Sequence, residues 1–189
     1  MTPPVRLLVP AGATLLAAVL SGTAGCAGVG TQAGTTDLAA TLDRAERRPM
    51  GGPFEVHELD IDGQPRKVIA VPAASRLTWQ LRFPAHARLR MWLAARSACD
   101  SAPVDFRVGI SDGRVYEQLL VRAVAPGASG SSRWEPARID LSRYGGAQWS
   151  LFYRPSEITW SLIFNTRPTG PMPCASQSFW GAPLIETGG

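Results

Sequence analysis

From Phe54 onward, apolar and polar residues alternate with a period of two, the pattern of strands with one buried face. Phe54, Val56, His57, Leu59 and Ile61 run into Asp62-Gly63, a two-residue hairpin signal, and Lys67 to Val71 forms the return, stopped by Pro72. Leu77, Trp79, Leu81 and Phe83 alternate up to Pro84. Leu89, Met91 and Leu93 alternate again, with Arg90 and Trp92 on the opposite side. Phe106, Val108 and Ile110 share one face and Asp105 and Arg107 the other; Asp112-Gly113 is a second turn signal, and Tyr116 to Val124 is extended. The stretch from Trp134 to Gly146 puts Ala137, Ile139 and Leu141 on one face and Arg138 and Asp140 on the other, then breaks at Gly145-Gly146, a pair suited to a tight turn. Trp149 to Tyr153 and Ile158 to Asn165 read as strands, and Phe179 to Ile185 as a last short one.

This pattern predicts eight to ten short strands without βαβ alternation: an all-β chain, folded as an antiparallel sandwich or barrel. The frequent Gly and Pro, 19 and 16 residues, fit many short elements joined by turns. One helix is expected ahead of the strands, Asp37 to Arg47. Thr36 would be its N-cap, Leu38, Leu42 and Ala45 its buried face, and Pro49 with Gly51-Gly52-Pro53 its stop.

The N-terminus reads as a processing segment. Arg6 precedes an apolar run, Leu7 to Leu20, that is too short and interrupted for a membrane span. Small residues then lead to Cys26, as in the lipobox of bacterial lipoproteins, which implies cleavage before Cys26 and a diacylglycerol thioether on its sulfur. Thr23 stands where leucine is usual, and an ordinary signal peptidase cut after Ala24 is the alternative. The expected division is residues 1–26 as signal, 27–52 as tether and short helix, and 53–189 as the folded domain. The expected location is outside the cytoplasm, anchored at the bacterial cell envelope. With Cys26 acylated, Cys99 and Cys174 are left over, and in an exported protein such a pair most often forms a disulfide. Its closure would contribute on the order of 4 kcal/mol on the chain-entropy model.

Removing residues 1–25 takes away one arginine and no acid, leaving 18 basic against 15 acidic side chains. The arginines are scattered, so no nucleic-acid stripe is present. His57 and His86 are the only histidines, and neither has a cysteine or acid at metal-ligand spacing. No Gly-x-Ser-x-Gly elbow or phosphate-cradling glycine loop occurs. These observations point away from an enzyme.

The ordered motifs Pro84-x-x-Ala87-x-Leu89, Val104-x-Phe106-x-Val108-x-Ile110, Trp134-x-Pro136-x-x-Ile139-Asp140-Leu141-Ser142-x-Tyr144-Gly145-Gly146, Ile163-Phe164-x-Thr166 and Trp180-Gly181-x-Pro183-x-Ile185 resemble the galactose-binding-like jelly rolls, which include carbohydrate-binding modules. The resemblance covers residues 53–186 and implies two stacked antiparallel sheets. Two features depart from it: the segment from Trp149 to Trp160 looks like an extra strand, and Met172-Pro173-Cys174 replaces the acidic and aromatic cluster before the last Trp-Gly-x-Pro.

Within that frame the expected role is noncatalytic. A membrane-anchored jelly roll would bind glycan or another envelope component; the alternative is a structural or assembly partner of another envelope protein. Exposed aromatic rings and arginines would carry a sugar, and the candidates are Trp92, Arg107, Tyr116, Trp149 and Trp160. Trp79, Trp134 and Trp180 are assigned to the core. No cofactor is expected; Asp140 reads as a carboxylate capping the turn after its strand, with a structural calcium there as the alternative.

Overall fold

The computed structural model describes residues 34–97, 102–126, 133–145, 158–170 and 176–187. Cys26, Cys99, Cys174 and the expected strand containing Trp149 lie outside them, and with them the lipidation and disulfide readings.

Two antiparallel sheets stack face to face. The first runs in the order β3 (Glu55–Ile61), β4 (Gln64–Pro72), β11 (Ser176–Thr187), β6 (Ala87–Ser97), β9 (Glu135–Asp140), with β1 (Thr35–Asp37) also pairing with β11. The second runs β2 (Glu46–Arg48), β5 (Ser75–Leu81), β10 (Trp160–Pro168), β7 (Val104–Ser111), β8 (Tyr116–Val124). The chain is an all-β two-sheet sandwich, one of the two architectures its alternation allows and the one the resemblance implies.

The alternating rows build the core between the sheets. Ile69, Val71, Leu89, Met91, Leu93, Trp180 and Ile185 come from the first sheet; Leu77, Trp79, Val104, Phe106, Val108, Ile110, Leu162 and Phe164 come from the second. Four rings form a chain across the gap. Trp79 meets Phe164 edge-on at 5.2 Å, Phe164 lies 4.5 Å from Trp180, and Trp180 meets Phe106 edge-on at 4.8 Å. Such pairs add about 0.5–1.5 kcal/mol each beyond the area they bury. The buried hydroxyls of Ser75 and Thr166 bond each other at 2.7 Å, and Thr166 also donates to the Pro72 carbonyl, so this polar pair is satisfied.

Both expected turns form. Asp62 and Gly63 take φ of 54° and 70°, and Ile61 pairs with Gln64, the geometry Asp-Gly favours in a two-residue hairpin. Asp112 Oδ1 accepts the amides of Arg114 and Val115, both at 2.8 Å, and β7 returns as β8.

The N-terminal region differs from expectation. Leu38, Leu42 and Ala45 are buried as predicted, but a 3₁₀ segment, Ala39–Arg44, replaces the longer α-helix. The acceptor for its first amides is Asp37 Oδ1, at 2.8 Å from the Ala39 nitrogen and 3.2 Å from that of Ala40, rather than Thr36. β1 and β2 flank this turn and join one sheet each, so residues ahead of Pro53 are part of the sandwich. The last strand is 12 residues long, not short, and pairs with β1, β4 and β6. Of the Gly145-Gly146 pair, Gly146 lies outside the described residues. The φ of Gly145 is −113°, open to any residue, but a Cβ there would run into the Pro84 carbonyl oxygen.

Removing the Trp180 indole should leave a cavity at the ring junction and cost about 3–5 kcal/mol. Trp180→Ala should therefore show a much lower urea midpoint, whereas Val121→Ala, at a position 44% exposed, should shift stability by about 0.5 kcal/mol or less.

Candidate functional site

Because inward rows are apolar, the remaining residues of each strand are presented on the outer faces. On the second sheet the register aligns them in three cross-strand rows: Gln80, Ser161, Ser111 and Tyr116; then Thr78, Ile163, Gly109 and Gln118; then Arg76, Asn165, Arg107 and Val121. A Cβ on Gly109 would overlap the Tyr116 ring, so the absent side chain is what lets that ring lie against the sheet. The phenol stays 53% exposed. In the third row, Arg107 donates to Asp105 at 2.7 Å, while its Nε is buried without a partner. Gln80 donates to Ser161 Oγ at 2.9 Å. The face thus combines one anchored aromatic ring, hydroxyl and amide side chains, and the guanidinium groups of Arg76 and Arg107.

The outer face of the first sheet is built differently. A second apolar cluster of Ile61, Val68, Ala70, Ala94, Trp134 and Phe179 sits there, with Leu59 and Trp92 packed against it. Trp134 is buried as predicted, but in this outer cluster. Its ring crosses Gly181, and its Nε1 donates to the Gln64 carbonyl at 3.0 Å. Trp92 is half-buried, with the Arg66 guanidinium 3.8 Å and that of Arg90 4.9 Å from its ring. Burial, and then the neighbouring Arg90 charge, lower the Arg66 pKa.

The remaining candidates lie elsewhere. Trp160 packs on the main core and meets Tyr144 edge-on at 5.0 Å. Tyr144 OH donates to Glu117 Oε2 at 2.6 Å, and Arg143 pairs with the same carboxylate. The Tyr144 hydrogen bond is the main cause holding the Glu117 carboxyl below its ordinary range, and Arg143 adds to it. Burial, reinforced by Glu117, raises the Tyr144 hydroxyl. Asp140 Oδ1 accepts the Ser142 amide at 2.8 Å, the turn-capping arrangement, and hydrogen bonding from Ser142 lowers its pKa. Among the described residues no three His, Cys, Asp or Glu side chains come close enough to hold a metal ion.

Of the five predicted ligand residues, the structure brings Arg107 and Tyr116 together on the second sheet. Trp92 belongs to the opposite sheet, already covered by arginine, Trp160 is part of the core's end, and Trp149 lies outside the described residues. Sequence reasoning missed Gly109, Gln80, Thr78, Ser161 and Asn165. The available signal was a lone glycine inside an otherwise regular strand, which marks a place where something approaches the backbone closely.

No protein-family model matches this sequence, and no curated protein does. Solved structures are similar to it to different degrees. A cleaved adhesin domain of Lys-gingipain from Porphyromonas gingivalis aligns with a TM-score of 0.52 at 11% identity, covering 82% of this chain and 98% of that one. The N-terminal cellulose-binding domain of a Cellulomonas fimi β-1,4-glucanase gives 0.43 at 14% identity, over 77% and 89% of the two chains. A xylan-binding domain from Paenibacillus barcinonensis gives 0.44 at 14%, over 77% and 86%. The adhesin-domain match shows a shared fold, a two-sheet antiparallel β-sandwich.

The Glu117 contact has a pH signature. A carboxyl whose pKa is lowered by folding adds stability above its unfolded value, and that stability is lost as pH falls through the folded value. Urea midpoints should show Glu117→Gln less stable than the parent at neutral pH. The two should converge as pH drops through and below the ordinary glutamate range.

Proposed function

We propose that this domain is a noncatalytic module of the bacterial cell envelope that binds glycan on the outer face of its second sheet. The observation that carries the reading is the Tyr116 ring seated on Gly109, half-exposed beside rows of hydroxyl and amide groups. A sugar ring has an apolar C–H face and a rim of hydroxyls. An aromatic ring covers the first, and Gln118, Asn165, Thr78 and Arg107 are suited to the second. An open sheet face accommodates a chain rather than enclosing a single sugar. Affinity then comes from a few aromatic and arginine contacts, with the other positions providing complementarity.

Soluble β-glucan, xylan and galactan, tested by isothermal titration, should include at least one binder. Its affinity should fall about tenfold or more in Tyr116→Ala. Gly109→Ala, which displaces the ring without removing it, should give a similar loss. Silence across the polysaccharides, or binding indifferent to both substitutions, would overturn the reading. Capture of an envelope protein independent of sugar would favour the assembly-partner alternative.

The tether is part of the same proposal. Small residues before Cys26 support lipidation of its sulfur, and residues beyond it, rich in Gly, Ala and Thr, would link the anchor to the sandwich. Pairing of Cys99 with Cys174 would suit that oxidising location. Cys26→Ser should move the protein from the membrane to the soluble fraction on cell fractionation; unchanged partitioning would refute the anchor.

A further inference from the structure

The first sheet carries a second feature that the proposed glycan face does not use. At the β6–β9 edge, a cleft of about 670 Å³ is lined by Arg88, Arg90, Arg138, Asp140 and Glu186, with Leu89 and Ile139 at its base. In the β6–β9 register, Arg90 stands directly opposite Arg138 and Arg88 opposite Asp140. Neighbouring strands lie about 4.8 Å apart, and like charges directly opposed destabilise a sheet. Arg66 sits on the same face, within electrostatic reach of Arg90 and stacked on Trp92.

The carboxylates present do not balance this cluster. Glu186 takes the Nε and one terminal nitrogen of Arg90, at 3.0 and 2.7 Å. Asp140 is committed to the Ser142 amide and feels the charge of Arg88. Four arginines against two carboxylates leave an excess of two positive charges. Arg138 has no ion pair or hydrogen bond among the described residues, and the buried Nε of Arg66 has no partner. A sheet selected for stability alone would not place two arginines face to face with one of them unpaired.

We propose that this cleft binds an acidic group borne on a polysaccharide: a uronate carboxylate, or a sulfate or phosphate ester. The cluster is all arginine, and its planar forks match two oxygens of such a group at once, which an ammonium does not. Arg138 supplies the free fork, Arg88 and the remaining nitrogen of Arg90 the flanking donors, and the Glu186 pair fixes Arg90 in place. A membrane surface fits less well, because the exposed large apolar residues Met50, Val56, Val115, Tyr116 and Val121 do not line this cleft. The inference stands apart from the Tyr116 face, on the opposite sheet.

The test uses the full chain with four probes: polygalacturonate, dextran sulfate, inorganic phosphate and phosphatidylglycerol vesicles. At least one of the two polymers should bind, more weakly as salt rises. Arg138→Gln should lower that affinity about tenfold, and Arg138→Lys, which keeps the charge and loses the fork, nearly as much. Arg47→Gln and Tyr116→Ala should leave it unchanged. Without ligand, Arg138→Gln should melt no lower than the parent, since it removes a repulsion. The proposal fails if neither polymer binds, if Arg47→Gln weakens binding as much as Arg138→Gln, or if Arg138→Lys binds like the parent. It also fails if only phosphate or the vesicles respond to Arg138, or if Arg138→Gln melts well below the parent.

Discussion

Trp180 lies where the two sheets meet, and the register of its strand constrains everything else. β11 pairs on both sides and is buried on both faces. Trp180 points between the sheets to Phe106 and Phe164, while Phe179 and Gly181 point outward beneath Trp134. A slip of one residue would exchange an indole for a glycine on the inner face and drive the indole into Trp134. The irregularity between Gly181 and Leu184, with Ala182 at φ 39°, lets the strand resume with Ile185 facing in. Everything presented on either outer face depends on that setting, since each exposed row is the complement of a buried one.

The two exterior faces that result are chemically distinct. The second sheet is left open, with Gly109 as the gap into which Tyr116 settles. The first is sealed by Trp134, reaching from the start of β9 to the carbonyl of Gln64, and a cleft remains at its β9 edge. Arginines finish the seal by lying on rings: Arg66 and Arg90 on Trp92, Arg96 within 5.8 Å of Phe179. Such stacking uses the delocalised plane of the guanidinium and keeps its edges available for oxygen ligands. Two surfaces of different chemistry on one scaffold is the arrangement expected where a fold supplies the frame and its exposed residues the specificity.

How much of this was legible follows from what alternation encodes. It assigns faces within a strand, so the rows of β5, β6, β7 and β9 could be read directly. It cannot assign strands to sheets, which is why Trp92 was grouped with Arg107 and Tyr116 although it lies on the opposite exterior. Arg107 and Tyr116 share one sheet because Asp112-Gly113 makes their strands hairpin neighbours. β11 was read short because a strand buried on both faces does not alternate, and its ends, Ser176-Gln177 and Glu186-Thr187, are polar. β1 and β2 have three residues each, too few for any period. The burial of Leu38, Leu42 and Ala45 was visible, yet that spacing serves a 3₁₀ turn as well as an α-helix once Asp37 accepts the first amides.

The displaced ionisable groups also bear on whether these faces react or hold. A general base works best with a pKa near the working pH, which for a carboxyl means a large upward shift. Asp112, Glu117 and Asp140 all move the other way. Each is held in its charged form by donors that belong to the fold: the amides of Arg114 and Val115, the Tyr144 hydroxyl, and Ser142. Such carboxylates are weaker bases than free ones and stronger fixtures for turns and strand ends. Their task is to hold the loops and edges around the two exteriors at fixed geometry. Any shallow surface that binds through few contacts needs that preorganisation, because without it each contact would have to offset the entropy of ordering its own support.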